Sequence, residues 1–153
     1  MREDLAQRIE NEFVKTQYPG DNNIGVREVE DFIGQKEWRK VPLVVLARNQ
    51  AAILIFSPAA YRFYLPAFLC AVLRHSELEY LEDPITYSLI PSIAPDNPKI
   101  VPESAIPLFS EGEKSLIIEF LEKHGELFPR SNYVVLDEKA PELQRAIKFW
   151  REN

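Results

Sequence analysis

The side chains best suited to chemistry lie along one proline-containing stretch, residues 57–75. Arg62 can hydrogen-bond a free carbonyl or a partner's carboxylate, Tyr64 carries a hydroxyl, and His75 can exchange a proton near neutral pH. Pro66 lies among them, and a proline inside a helix removes one backbone hydrogen bond and favours a bend. A bend can open a cleft, so the sequence offers these three side chains as a small-molecule or catalytic site.

The same region contains two further groups that could be reactive. Cys70 could act as a nucleophile only beside a base, and its apolar neighbours favour inert packing. His75, Glu77 and Glu79 could converge on a metal ion if their segment were extended. His75 also stands at the predicted end of a helix, as His124 does later, and an imidazole there interacts favourably with the helix dipole. We therefore predict end-capping histidines and neither a metal nor a cofactor.

An acidic cluster, Glu28, Glu30 and Asp31, precedes this stretch. Paired carboxylates can act as general acid and base when burial separates their pKa values. Basic residues lie close in sequence, however, and they favour a solvated charged face. Trp38 follows among charged residues, where we expect its ring to fold back over the helix that carries the cluster. We predict that the cluster and Trp38 together form a protein-binding face.

The common catalytic and nucleotide-binding motifs are missing from the sequence. It contains no GxSxG elbow, P-loop, GxGxxG turn or HExxH pair, and its 5 glycines are scattered. Only 2 histidines are available as bases or metal ligands. We therefore expect a non-enzymatic protein, with an unrecognised enzyme as the alternative.

Size and charge restrict the remaining functions. The 153 residues suffice for one globular domain, residues 1–153, whose core needs no disulfide or metal. Its 18 basic and 24 acidic side chains give a net charge of −6, and no basic run offsets it. Nucleic acid and anionic membranes are therefore not expected as partners. One cysteine, no signal-peptide pattern and no apolar run of about 18 residues predict a cytoplasmic protein without a membrane span.

Hydrophobic periodicity and capping residues predict about six helices. They cover residues 2–16, 23–33, 42–50 and 57–75, then the stretch from Ser110 to a stop at Gly125, and the stretch from Pro141 onward. Short strands are predicted at 85–89 and 133–136, a buried connector at 52–56, and an extended proline-stiffened wrap up to Pro107. The expected fold is mainly α, a single compact domain around the central helix, with an α+β fold as the alternative.

The stretch 57–75 is the predicted central helix of this fold. Ser57 can cap its N-terminus, and Pro58 fits the first helical position. Apolar residues then recur at helical spacing along a wide stripe: Tyr61, Tyr64, Leu65, Phe68, Leu69, Val72 and Leu73. Such a stripe is typical of a core helix. Pro66 predicts either a kink or two helices that meet at Leu65.

Two segments also carry a family resemblance. Residues 32–38, FIGQKEW, and 56–69, FSPAAYRFYLPAFL, resemble an uncharacterised family of small bacterial proteins with an FxGxxW segment and an LSPEAFRYYLPAYL-like helix. The resemblance extends over residues 5–123. Ala59 and Tyr61 stand where the family shows Glu and Phe, which leaves the packing pattern intact. The family has no established activity, so the resemblance implies no ligand, cofactor or site residue.

Three functional hypotheses follow. The first is a small acidic binding protein that inhibits or shelters a partner protein, by analogy with the immunity proteins of toxins. Its binding face would include the acidic cluster and Trp38. The second is a small-molecule site or an unrecognised enzyme in the cleft at Pro66. The third is a homo-oligomeric scaffold. The sequence does not give the oligomeric state, so this hypothesis stays open.

Overall fold

The computed structural model describes residues 2–25, 29–75, 89, 93, 104–124 and 141–153. Five α-helices run through them: α1 (Arg2–Phe13), α2 (Leu43–Arg48), α3 (Pro58–Arg74), α4 (Glu111–Lys123) and α5 (Pro141–Glu152). Short 3-10 helices connect them at Glu30–Phe32, Trp38–Lys40, Gln50–Leu54 and Ile106–Leu108. The described ranges contain no β-strand, only an isolated bridge between Gly25 and Phe56. The predicted mainly α fold is confirmed.

Helix α3 forms the core, as predicted. The Ser57 hydroxyl accepts the Ala60 N–H at 3.1 Å, and Pro58 occupies the first turn, where its missing N–H leaves no bond unmade. The helix continues through Pro66 to Arg74, so the alternative of two helices meeting at Leu65 is wrong. All residues from 60 to 73 are buried except one, Arg62. A helix that is apolar all round must be covered on every side, which the surrounding helices accomplish.

Helix α1 packs along α3 and ends earlier than the predicted residue 16. Leu5, Ile9 and Phe13 form its buried stripe, as their spacing of four predicts. Three donors converge on the Phe13 carbonyl: the N–H of Thr16 at 3.1 Å, its hydroxyl at 2.9 Å and the Trp38 indole N–H at 3.2 Å. The residues that follow are thereby held in a turn, and the helix stops at Phe13.

The predicted helix at 23–33 is wrong. Residues 21–24 form turns and bends, Gly25 forms the bridge to Phe56, residues 26–28 lie outside the described ranges, and only Glu30–Phe32 form a short 3-10 helix. The carbonyls of Asn23 and Ile24 accept the hydroxyl of Ser57 at 2.6 Å and its N–H at 2.8 Å. These carbonyls therefore serve the start of α3 and do not accept helical bonds of their own. Gly34 adopts a left-handed conformation, at φ +83°, which glycine accommodates without strain.

The predicted helix at 42–50 is present as the shorter α2, and a 3-10 helix overlaps the predicted buried connector at 52–56. The side-chain amide of Asn49 donates to the Val45 carbonyl at 2.9 Å, and its backbone N–H donates there at 3.0 Å. This doubled bond ends α2. The chain then continues as Gln50–Leu54, with Ala52 and Ile53 buried.

Helix α4 starts at the predicted capping residue, since the Ser110 hydroxyl accepts the Glu113 N–H at 3.1 Å. The reciprocal half of the capping box is absent, because the Glu113 carboxylate contacts Arg62 of α3 instead. Helix α5 packs on α4, and the Trp150 indole donates to the Ile93 carbonyl at 2.8 Å.

The two predicted strands fall mostly outside the described residues. The segment 133–136 is not described, and of 85–89 only Leu89 is, which is buried and helical. No helix within the described residues combines the length and apolarity that a membrane crossing requires.

Candidate functional site

The acidic cluster lies at the surface and is tied to α2. The Asp31 carboxylate accepts the Asn49 side-chain amide at 2.8 Å and lies 3.6 Å from the Arg48 guanidinium. Glu30 beside it is exposed, and Glu28 lies outside the described residues. These carboxylates are exposed to solvent and lie beside a basic residue, so this arrangement suits charge recognition better than acid–base catalysis.

Trp38 belongs to the core, which corrects its predicted place on the binding face. Its side chain is only 5% exposed, and its indole N–H donates to the Phe13 carbonyl at the end of α1. The predicted folding of the ring over a second helix does not occur, because that helix is absent. An indole buried in this way cannot reach a partner protein.

Tyr64 is completely buried and holds a loop in place. Its hydroxyl lies 2.9 Å from the carbonyls of both Phe32 and Gln35, so its single proton is shared between them. Burial raises the pKa of Tyr64 above its ordinary value of 10.0. The phenol therefore stays neutral and anchors residues 32–35 on α3, with no surface left for a ligand.

Arg62 forms a partly buried ion pair that the sequence did not reveal. Its guanidinium donates to the Glu113 carboxylate of α4 at 2.6 Å, and the Glu113 side chain is only 4% exposed. The second carboxylate oxygen of Glu113 and the Nε of Arg62 are buried and have no hydrogen-bond partner. The pair joins α3 to α4 and holds Arg62 away from any ligand at the Pro66 bend.

A groove does exist next to Pro66, between α2, the 3-10 helix Trp38–Lys40 and the C-terminal half of α3. We call it the α2–α3 groove. It has a volume of about 140 Å³. Its walls are Glu10, Trp38, Arg39, Val41, Leu43, Leu46, Ala67, Cys70, Ala71, Arg74 and His75. Of the three predicted cleft residues only His75 lines it, and Arg62 and Tyr64 do not.

The spacing along α3 explains why the three residues do not converge. At 1.5 Å per residue, Arg62 and His75 are about 20 Å apart along the helix axis. One compact ligand could not contact both. His75 itself is the C-cap residue of α3, and His124 is the C-cap residue of α4, as predicted.

Cys70 lies in the wall of the α2–α3 groove without the properties of a nucleophile. Its thiol donates to the Ala6 carbonyl at 3.6 Å, and burial raises the pKa of the Cys70 thiol to about 12. A thiol with this pKa is not ionised at neutral pH, and the thiolate is the reactive form. Inert packing, as predicted, describes its role.

A second and more open groove lies between α1 and α4. We call it the α1–α4 groove. Its volume is about 460 Å³. It is lined by Arg8, Asn11, Glu12, Gly112, Ser115, Leu116 and Glu119. Arg8 donates two hydrogen bonds to Glu119, at 2.6 and 2.7 Å, and Lys123 adds a third at 2.8 Å. Arg8 and Glu119 of this groove are therefore paired with each other, and the Glu12 carboxylate accepts the Ser110 hydroxyl at 3.5 Å.

Metal ligands and known relatives give no further guidance. Across the part of the chain that the structure describes, no three His, Cys, Asp or Glu side chains are arranged to hold a metal ion. Glu77 and Glu79, the predicted companions of His75, are not among these residues.

No protein-family model, curated protein or solved structure matches the chain. The function must therefore be inferred from the geometry of the surface itself.

Acid is expected to remove the contribution of the Arg8–Glu119 pair to stability. Arg8, and after it Lys123, hold the pKa of Glu119 at about 2, below its ordinary 4.5. Because the folded-state pKa is the lower one, the pair stabilises the fold above about pH 4.5, and this contribution is lost as the pH falls toward 2. The unfolding free energies of wild type and Glu119→Gln should therefore converge over that range.

Urea titrations at about pH 7, 4 and 2.5 measure this convergence. Glu111→Gln is the matched control, because the Glu111 side chain is 93% exposed although it also pairs with a lysine, Lys114. The control should differ little from wild type at each pH. A Glu119→Gln difference that is the same in neutral and acidic solution would contradict the assignment.

Proposed function

We propose that this protein is a non-enzymatic cytoplasmic binding module that inhibits or shelters a partner protein, as immunity proteins do. We do not propose nucleic acid as a partner of this protein. One observation carries the proposal: exposed apolar side chains and exposed carboxylates occur together on two segments, residues 30–33 and α2, which Asp31 joins. Val44 is 63% exposed and Ile33 is 46% exposed, among the most exposed large apolar residues described.

The contacts of Asp31 bring these residues to one side of the protein. Asp31 contacts Arg48 and Asn49 at the end of α2. Val44 precedes Arg48 by four residues, so both project from the same face of the helix. Ile33 follows Asp31 by two residues. We define the acidic–apolar face as Glu30, Asp31, Ile33 and Val44.

This composition favours a partner with a basic surface around an apolar patch. Apolar residues surrounded by charged ones are typical of protein interfaces, in which the apolar centre contributes most of the affinity and the charges increase the association rate. The net charge of −6 supports the same kind of partner. The other residues whose side chains could bind a ligand or react all form contacts inside the protein. These residues are Tyr64, Cys70 and Arg62.

The resemblance to the uncharacterised bacterial family stays a prediction. The segment 32–38 is one residue longer than the family's FxGxxW pattern. Three residues separate Gly34 from Trp38, whereas the pattern has two between its glycine and its tryptophan. Tyr64 and Trp38, which belong to the two resembling segments, are both buried. The resemblance therefore bears on packing, and the proposed function rests on the acidic–apolar face alone.

Val44→Asp tests the proposal. An aspartate at this exposed position should leave the fold intact and weaken partner binding at least about 10-fold, as expected for the loss of a central apolar contact. Val14→Asp is the matched control, because Val14 is also exposed, at 45%, but lies beyond the end of α1. Affinity capture from native lysate with the three proteins, followed by calorimetry on the captured partner, measures the effect.

The expected result is one protein retained by wild type and Val14→Asp and lost with Val44→Asp. Retention of that protein by all three at equal affinity would place the interface elsewhere and refute the face. Equilibrium sedimentation of the purified protein tests the rival scaffold. If the wild-type protein self-associates and Val44→Asp abolishes this association, the partner bound by the acidic–apolar face would be a second copy of the chain.

A further inference from the structure

We propose that the α2–α3 groove binds a small molecule that joins a single carboxylate to a compact apolar body of about six carbons. The site is separate from the acidic–apolar face, and none of its lining residues belongs to that face. Its failure would leave the proposed function untouched. The apolar floor of the groove, its size and the charges on its rim each restrict the ligand.

The floor of the groove is apolar and is made by two helices and the loop before them. Val41, Leu43 and Leu46 contribute one side, and Ala67 and Ala71 of α3 contribute the other. The two alanines are one helical turn apart on α3, so their small side chains leave a shallow depression where larger residues would fill the space. Such a floor removes apolar ligand surface from water, which is the main source of affinity for a small ligand.

The volume restricts the apolar body of the ligand. The groove measures about 140 Å³. A cavity of about 150 Å³ lined by apolar side chains accommodates benzene. A single ring or a short branched chain therefore fits, whereas a nucleotide or a drug-sized molecule does not, because sites for those occupy about 300–1,000 Å³.

The rim selects a negative charge. Arg39 is exposed, and no ion pair or side-chain hydrogen bond engages it among the described residues. His75 lies on the same rim, and even a neutral imidazole donates one N–H. The opposing carboxylate, Glu10, is already bound by the Arg74 guanidinium at 2.5 Å. Arg39 does interact at longer range with the Glu37 carboxylate, which Lys40 binds directly. An incoming carboxylate therefore finds one guanidinium that no described carboxylate binds directly, and no unpaired acidic group among the described lining residues.

Benzoate is the probe for this site, with benzamide as its uncharged isostere. Titration followed by two-dimensional amide NMR should show benzoate shifting the resonances of Cys70, Ala71 and His75, with a Kd of about 0.1–5 mM for a ligand of nine heavy atoms. Benzamide should bind at least about 10-fold more weakly, because it lacks the charge that Arg39 recognises. Absence of benzoate binding up to about 10 mM, or equal binding of both probes, would overturn the proposal.

Two neighbouring variants identify the residue responsible. Arg39→Gln and Lys40→Gln each remove one positive charge from the same 3-10 helix, but only Arg39 lines the groove. Benzoate affinity should fall about 5- to 10-fold in Arg39→Gln and change less than about twofold in Lys40→Gln. Equal losses in both variants would reveal a nonspecific charge effect and reject the site. Shifts confined to amides outside the groove would also reject it.

Discussion

Replacing Arg62 with methionine is expected to lower the free energy of unfolding by about 3–5 kcal/mol, because the change leaves a carboxylate buried without its counter-charge. The Glu113 side chain is almost fully buried, and among the described residues only Arg62, besides the helix cap Ser110, is bonded to it or its N–H, with a 2.6 Å hydrogen bond from the guanidinium to the carboxylate. Its other oxygen already has no partner. Urea unfolding monitored by circular dichroism measures the loss.

Two further variants separate burial from charge. In the double variant Arg62→Met with Glu113→Leu, at least about half of the lost stability should return, since no unpaired charge remains. Arg48→Met removes an exposed arginine that lies 3.6 Å from Asp31, and its effect should stay within about 1 kcal/mol. If Arg62→Met were as mild as Arg48→Met, the ion pair would behave as a surface pair and our interpretation would be wrong.

Phe32→Ala should destabilise the protein by about 3–5 kcal/mol, the usual range for truncating a buried phenylalanine. The ring of Phe32 is fully buried, with its centroid 5.0 Å from those of Phe56 and Tyr64 and 6.3 Å from that of Phe68. Its removal leaves a cavity where the 3-10 helix Glu30–Phe32 packs on α3. Differential scanning calorimetry and urea unfolding both measure this loss.

The adjacent residue provides the control for this prediction. Ile33 is 46% exposed, so Ile33→Ala should change the stability by less than about 0.5 kcal/mol while removing part of the acidic–apolar face. The pair of variants thus distinguishes a residue that holds the fold from one available to a partner. Equal effects of the two substitutions on unfolding would contradict the packing described for Phe32.

The parts of the fold that follow from local signals were predictable. Ser57 with Pro58 and Ser110 mark the starts of α3 and α4, because an N-cap bond spans only three residues. The stripe of Leu5, Ile9 and Phe13 predicts α1 in the same way. The second helix failed because Asn23 and Ile24 bond to Ser57, more than 30 residues away, and no local pattern reveals such a partner.

In the candidate sites, too, contacts between residues far apart in the chain could not be predicted. Arg62 was predicted to hydrogen-bond a free carbonyl or a partner's carboxylate, whereas it binds Glu113 of its own chain, which lies 51 positions further on and also fits a local capping role. Trp38 stands among charged residues in the sequence, and only the three-dimensional packing reveals that the end of α1 accepts its indole N–H. The α2–α3 groove combines residues from α1 to α3, and among them only His75 belonged to a predicted cleft.

The position of α1 has a consequence for how the chain reaches its folded form. Arg74 of α3 binds Glu3 and Glu10 on one side of α1, and Glu119 of α4 binds Arg8 on the other. The last of these contacts joins residues 111 positions apart. Helix α1 therefore leaves the ribosome well before the helices that cover its apolar stripe. The stripe stays uncovered until α3 emerges, and the part that faces α4 stays uncovered for longer, which exposes apolar surface on the nascent chain.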